Sequence, residues 1–266
     1  MQLLISSYLF LVGAVLGSFV GAMAWRYKHA MPLTTDRSEC EQCHHKLGVG
    51  DLLPVVSWLW LRGKCRYCGH AIGVQTFALE VLLGVAFVFS YLFWPYGMAY
   101  DLFWPHFAIW LVALTMLAFL FVYDARHFIL PDVVTVPLMA LGLILLGFHS
   151  QIAHWTLTQA GVEALLSLLP VSGVYWVLYK VSGGRWVGFG DVKLGVFIGL
   201  VLGWQGAIFT LFLSNVLGTL YILPGILLGR LSRKDHVPFG PFLIVATFIA
   251  FLGAQQIIDW YFAQIP

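Results

Sequence analysis

Apolar residues fall in long stretches near residues 3–24, 76–98, 105–123, 133–149, 161–179, 191–203, 205–229 and 239–262, with polar connections between them. A bilayer core is crossed by about 20 apolar residues in a helix, so the pattern predicts eight spans. The 191–203 stretch is short for a span, and Gly203-Trp204-Gln205-Gly206 is a thin turn signal, which leaves six or seven spans open. No Lys or Arg precedes the first stretch and the first basic residue is Arg26. That is the wrong polarity for a cleaved signal peptide, so the stretch is expected to be retained with its N-terminus outside.

The distribution of charge tests this reading independently, because loops on the cytoplasmic side collect Lys and Arg. Arg26, Lys28, Arg37, Lys46, Arg62, Lys64 and Arg66 lie between the first two stretches, and Arg126 follows the third. Lys180, Arg185 and Lys193 surround the connection from the fifth to the sixth, and Arg230, Arg233 and Lys234 follow the seventh. These are all 14 basic residues of the chain, and with eight spans they fall on one face. The connections on the other face, around Pro95 to Trp104, Phe148 to Gln159 and Gly203 to Gly206, hold none. Dropping a span after the third would scatter them, so the pattern places both termini outside.

Composition agrees. The chain is 61% hydrophobic and 10% charged, with a mean hydropathy of +0.89, which excludes an ordinary soluble domain. Nothing resembles a basic nucleic-acid-binding arm, so the expected surroundings are the lipid bilayer and no nucleic acid is expected as a partner. The expected fold is an all-α polytopic membrane protein of about eight transmembrane helices. Its divisions are a first helix over 1–25, a cytoplasmic insert over 26–75 and a transmembrane bundle over 76–266. No internal repeat is evident.

The insert, about fifty residues long, is too small to hold itself together by apolar burial alone, so a staple is expected. All four cysteines lie in it, as Cys40-Glu-Gln-Cys43 and Cys65-Arg-Tyr-Cys68, 21 residues apart. Paired Cys-x-x-Cys knuckles supply four thiolates for tetrahedral zinc, although the separation slightly exceeds the usual value of about 15–20. Two disulfides are the alternative, but a cytoplasmic face is reducing. Four sulfurs leave no open coordination position, so such a zinc would be structural. His44, His45 and His70 adjoin the knuckles and are either exposed neighbours or substitutes for a thiolate.

An acid inside an apolar span costs several kcal/mol and calls for an explanation. The candidates are Glu80, Asp124, Asp132, Glu163 and Asp191. Asp132 follows Pro131 at the start of a span and fits an N-cap. Asp124 closes the run Met116 to Tyr123, with Arg126 and His127 as available partners. Asp191 sits in Gly188-Phe189-Gly190-Asp191-Val192-Lys193, where cap and catalyst are both open; the glycines suit close approach of another chain and equally suit a tight turn. The topology puts Asp124 and Asp191 at the cytoplasmic ends of their helices, at similar depth. Two carboxylates in one low-dielectric site do not easily both ionise, so one keeps a proton while the other acts as general base on water. That is the chemistry of aspartic proteases, and no Ser/His/Asp or His-Glu-x-x-His pattern competes with it.

These features together resemble the bifunctional type IV prepilin peptidases, the leader peptidase/N-methyltransferases of bacterial pilus and type II secretion systems. The resemblance runs through Gly17-Ser18-Phe19 with Arg26, both Cys-x-x-Cys pairs, Asp51-Leu-Leu-Pro54, Ser57-Trp58, Leu61-Arg-Gly-Lys-Cys65 and Leu79-Glu80. It continues in Asp124 with Leu130-Pro-Asp132, Gly188-Phe-Gly-Asp-Val-Lys193 and Pro238-Phe-Gly-Pro-Phe242. It implies that Asp124 and Asp191 are the catalytic pair, with Gly188, Gly190 and Lys193 supporting the loop. It further implies that the substrates are prepilin and pseudopilin precursors, cut after a glycine at the cytoplasmic face of the bacterial inner membrane. The new N-terminus would then be methylated with S-adenosylmethionine. Glu80 and Arg26 are the candidate methyltransferase residues, Glu80 being equally open to pairing with a basic residue of the insert. Two other readings are a peptidase without methyl transfer and a non-catalytic membrane scaffold whose zinc holds a docking module.

Overall fold

In the computed structural model the apolar stretches are helices, and the structure describes residues 1–32, 38–40, 42–230, 232 and 236–264, without the side chains of 259, 261 and 262. Of the basic residues that set the topology, Arg37, Arg233 and Lys234 lie outside the described residues. Among the described residues seven helical elements are long and apolar enough to cross a membrane, which makes the chain a multi-pass membrane protein. No β-strand longer than an isolated bridge occurs among the described residues. Two units form, Met1–Leu92 and Phe93–Pro266.

The first unit pairs α1 (Gln2–Lys28) with α3 (Val74–Leu92), and carries the insert with its short helix α2 (Val56–Trp60) between them. Apolar side chains gain nothing by leaving lipid for one another, so membrane helices associate where small residues let backbones touch. Gly13 and Gly17 do this: a Cβ on either would lie 2.8 Å from the Cα of Gly84 or Glu80 on α3. The insert docks on the same helix. Trp58 stacks on Phe77 at 4.5 Å, and its indole N–H donates to the Ile72 carbonyl at 3.3 Å.

The second unit comprises α4 (Phe103–His127), α5 (Asp132–Ile152), α6 (Leu157–Ser167), α7 (Val174–Ser182), α8 (Phe189–Leu227) and α9 (Gly240–Phe262). A π-helical turn over Leu169–Gly173 joins α6 to α7 in one span. Its core is aromatic at one end, where the fully buried Trp110 stacks on Phe251 at 3.6 Å. Both α5 and α9 pack against α4 and against α8, and so bring the ends of those two helices together.

At 39 residues α8 would be roughly 58 Å long if straight, about twice the hydrocarbon thickness. It is broken at Gly203, whose φ of 67° and ψ of 176° no other residue type adopts comfortably. The break separates the predicted sixth and seventh stretches, so seven continuous elements carry eight helical segments. Glu163 of α6 accepts the Trp204 N–H at 3.2 Å just beyond the break. The acid thereby satisfies a backbone donor that the interrupted helix leaves over.

Candidate functional sites

In the first unit the four cysteine sulfurs lie within 4.8 Å of one another, and all four are free thiols. Cys40 Sγ is 3.8 Å from Cys68 Sγ. A tetrahedral Zn–S bond of about 2.3 Å requires an S–S edge of roughly 3.8 Å, so the cluster fits the metal it was expected to hold.

The two halves of the cluster are the same turn used twice. Cys40 N–H donates to the His45 carbonyl and His44 N–H to the Cys40 carbonyl; Cys65 N–H donates to the His70 carbonyl and Gly69 N–H to the Cys65 carbonyl. His44 and Gly69 both have positive φ, 54° and 71°. Bridges Glu39 to Lys46 and Lys64 to Ala71 close the two turns in the same register. The chain therefore does contain a short repeat, Cys-x-x-Cys-x-His, which the apolar pattern does not expose. His45 packs tilted against Tyr67 with ring centroids 3.6 Å apart, which accounts for it as a neighbour of the cluster. The Cys43 backbone N–H leads in drawing the Cys40 thiol down to about 6. The His70 amide acts in the same sense on Cys68, but burial and the three other sulfurs outweigh it and push that thiol up to about 12.

Asp51 ties the second knuckle to the loop before α2. Its carboxylate accepts Arg66 Nε–H at 2.7 Å, the Tyr67 hydroxyl at 3.2 Å and the Gly48 N–H at 3.1 Å. Burial works to raise its pKa, and these bonds, led by the Gly48 N–H, hold it below the ordinary carboxylate value. Glu80 is only 5% exposed on α3, and its Oε2 accepts the Val55 N–H at 2.6 Å. The Val55 backbone amide is thus one partner of Glu80 in the insert. Arg26 stands half-buried in the last turn of α1.

In the second unit Asp124 ends α4. Phe128 adopts a left-handed conformation and donates its N–H to the Asp124 carbonyl at 2.9 Å, turning the chain back toward Pro131. The Asp124 side chain is buried at 6% exposure and accepts the Gly240 N–H at the start of α9. Asp191 is the third residue of α8, and its carboxylate reaches back to the Gly188 N–H. This is the acidic half of a capping box, so the residue caps the helix from the third position rather than from the N-cap itself.

The two carboxylates are within electrostatic reach of each other. Leu130, itself buried, lies against Gly190, which precedes Asp191, and against Gly240, which adjoins Asp124. A Cβ on Gly190 would meet Leu130 Cβ at 2.8 Å, and one on Gly240 would meet Asp124 Oδ2 at 2.6 Å and Leu130 Cδ2 at 3.5 Å. Both glycines are therefore spaces that Asp124 and Leu130 require. Gly240 stands within Pro238-Phe-Gly-Pro-Phe242, but no spacing in the sequence links it to Asp124. Asp132 is not an N-cap. Pro131 occupies that position without a side-chain bond, and Asp132, the first residue of α5, instead accepts Lys193 Nζ–H at 2.6 Å. The pair ties the start of α5 to the start of α8.

Residues 11–94 match the bacterial peptidase A24 N-terminal domain, and residues 111–223 match the type IV leader peptidase family. A prepilin leader peptidase/N-methyltransferase of Aeromonas salmonicida is 32% identical over 233 residues, covering 88% of this chain and 77% of the relative. The protein of the same name from Pseudomonas aeruginosa is 34% identical over 86% of this chain and 76% of its own length. That from Dickeya chrysanthemi is 31% identical over 90% and 89%. No solved structure matches. With this identity held across both units, the chain belongs to the type IV leader peptidase family, among the prepilin leader peptidase/N-methyltransferases.

Proposed function

We propose that the chain removes the leader of prepilin and pseudopilin precursors by aspartic catalysis at Asp124 and Asp191, and N-methylates the new N-terminal residue with S-adenosylmethionine. The observation that carries this reading is that the two aspartates, at the ends of α4 and α8, stand within electrostatic reach of each other, with Leu130 against both Gly190 and Gly240. In the reaction one carboxylate takes a proton from water as its oxygen attacks the scissile carbonyl carbon, and the protonated partner donates to the carbonyl oxygen. Collapse of the tetrahedral intermediate breaks the C–N bond, and the departing amine takes up a proton. Gly188 holds Asp191 through its N–H, and Lys193 fixes the start of α8 through Asp132.

Methyl transfer is assigned to the first unit, where Cys40, Cys43, Cys65 and Cys68 would hold zinc structurally and a buried carboxylate at Glu80 suits a cationic amine. S-adenosylmethionine supplies the methyl group when bound, with Glu80 and Arg26 as the residues proposed to serve it. The surroundings are the bacterial inner membrane. The insert and both aspartates are assigned to the cytoplasmic side and both termini to the outside, on the distribution of Lys and Arg.

The test is the mass of a purified precursor before and after incubation with the protein, with and without methyl donor. Loss of the leader and gain of one methyl group report on the two activities separately. Glu80→Gln should reduce the methyl gain and leave leader loss in place; a precursor that keeps its leader with wild-type protein sinks the reading.

A further inference from the structure

One buried polar group beside the aspartates has no part in the chemistry above. Tyr175 is 5% exposed, and its hydroxyl lacks a hydrogen-bond partner among the described residues. Ser214 is its neighbour but makes no hydrogen bond with it, and donates its own proton to the Leu211 carbonyl at 2.9 Å. A buried hydroxyl without a partner is unfavourable, and in a native fold it calls for a reason.

The register of the two helices shows where this hydroxyl belongs. A Cβ on Gly195 would lie 2.7 Å from the backbone N of Ser172, and on Gly199 it would run into the Ser167 carbonyl. As α8 advances from 195 to 199 the facing chain therefore runs back from 172 to 167, antiparallel and in backbone contact. One turn before Gly195 on the same face of α8 is Asp191; the same four-residue step along the facing chain from Val171, whose Cγ1 would lie 2.9 Å from that Cβ, reaches Tyr175. The charge that bears on the Tyr175 hydroxyl is accordingly that of Asp191. Its ring meets Phe239 edge-on at 6.0 Å, next to the glycine whose N–H holds Asp124.

Between the two glycine contacts the facing chain spends five residues where α8 spends four. The π turn at Leu169–Gly173 takes up the extra residue, with Gly173 N–H donating to the Leu168 carbonyl at 2.8 Å. In an unbroken α-helix one residue is a rotation of about 100°, enough to carry the Tyr175 side chain off the Asp191 face.

We propose that Tyr175 is a positioning residue of the aspartic site: its hydroxyl donates to the Asp191 carboxylate during catalysis and fixes which oxygen faces the reacting water, with the π turn aiming it there. The proposal rests on the reading of Asp124 and Asp191 as the catalytic pair.

The experiment compares wild type, Tyr175→Phe and Asp191→Asn as full-length purified protein, measuring kcat and KM for precursor cleavage together with the thermal midpoint. Phenylalanine keeps the ring against Phe239 and removes only the oxygen. The expected result for Tyr175→Phe is a kcat lowered roughly 10- to 100-fold, with KM within about twofold of wild type and a midpoint within about 2 °C. A wild-type kcat in Tyr175→Phe, with Asp191→Asn inactive, overturns the role of the tyrosine and leaves the aspartates standing. A kcat loss that comes with a lowered midpoint and a raised KM also overturns it, in favour of packing. If Asp191→Asn cleaves normally, the reading of the pair fails and takes this proposal with it.

Discussion

The cysteine cluster and the aspartate pair hold their reactive groups in opposite ways. The cysteines stand on two short turns of the same design, close in sequence, with only Cys65 buried. Such turns carry little apolar packing, and a metal ion held between them would supply the order. The aspartates are 67 positions apart and stand on the ends of long helices, held by backbone N–H groups of Gly240 and Gly188 and by the bulk of Leu130. There the packing of the bundle supplies the order. A chelator should therefore undo the first site and spare the second, and a single added methyl group should do the reverse.

The sharpest test of the second site is Asp124→Asn and Asp191→Asn. Asparagine keeps the shape but cannot take a proton from water, so each change should lower cleavage by roughly 10²- to 10⁴-fold, read from precursor mass. Because the pair acts as a unit, the double variant should be hardly worse than either single one. Wild-type cleavage in both would remove the aspartic mechanism. Gly240→Ala should come next, lowering cleavage on the order of 10²-fold, because its methyl group displaces Asp124 from the position α9 gives it. The metal content of the same variant should equal that of wild type; loss of both would mean the change acts on folding instead.

Metal removal breaks the comparison from the other side. Zinc should be bound at about one equivalent by elemental analysis, and chelation should leave the insert open to protease and lower methyl transfer by about 10-fold or more. Cleavage should fall less than methyl transfer in the same sample. An insert that stays protease-resistant without metal would show that Asp51, Trp58 and Glu80 suffice to hold it. The smallest effect is expected from Asp132→Asn. Its pair with Lys193 is short but 68% exposed on the aspartate side, and exposed pairs contribute about 0.2–1 kcal/mol, so cleavage should change by less than about fivefold. A dead Asp132→Asn beside an active Asp124→Asn would move the catalytic role from one aspartate to the other.

What the sequence made legible follows from the same contrast. Local spacing shows in a sequence, so the four cysteines and the helical stretches were readable directly, and the positions of Lys and Arg supported eight segments, as the break of α8 at Gly203 provides. Contacts between distant segments leave no such mark. Nothing in the sequence said that Gly240 stands against Asp124, that Leu130 lies between two glycines, or that Asp132 pairs with Lys193 rather than capping its helix. The π turn was equally hidden, because Leu169 to Gly173 reads as ordinary apolar span and its extra residue appears only when Gly195 and Gly199 are set against the facing chain.

Val55 gives the Glu80 bond a further meaning. Its φ of 64° is a conformation that a β-branched residue adopts only under compulsion, at a cost of about 1–3 kcal/mol. The segment Pro54-Val55-Val56 keeps that shape because other contacts over-determine it, and the Glu80 carboxylate gripping the Val55 N–H is the one that reaches it from a rigid membrane helix. The carboxylate is in effect a latch on a sprung loop. A cation that drew Glu80 away would free the Val55 amide and remove one of the contacts that hold the strained loop before α2. A glycine at position 55 would slacken the spring without touching the latch.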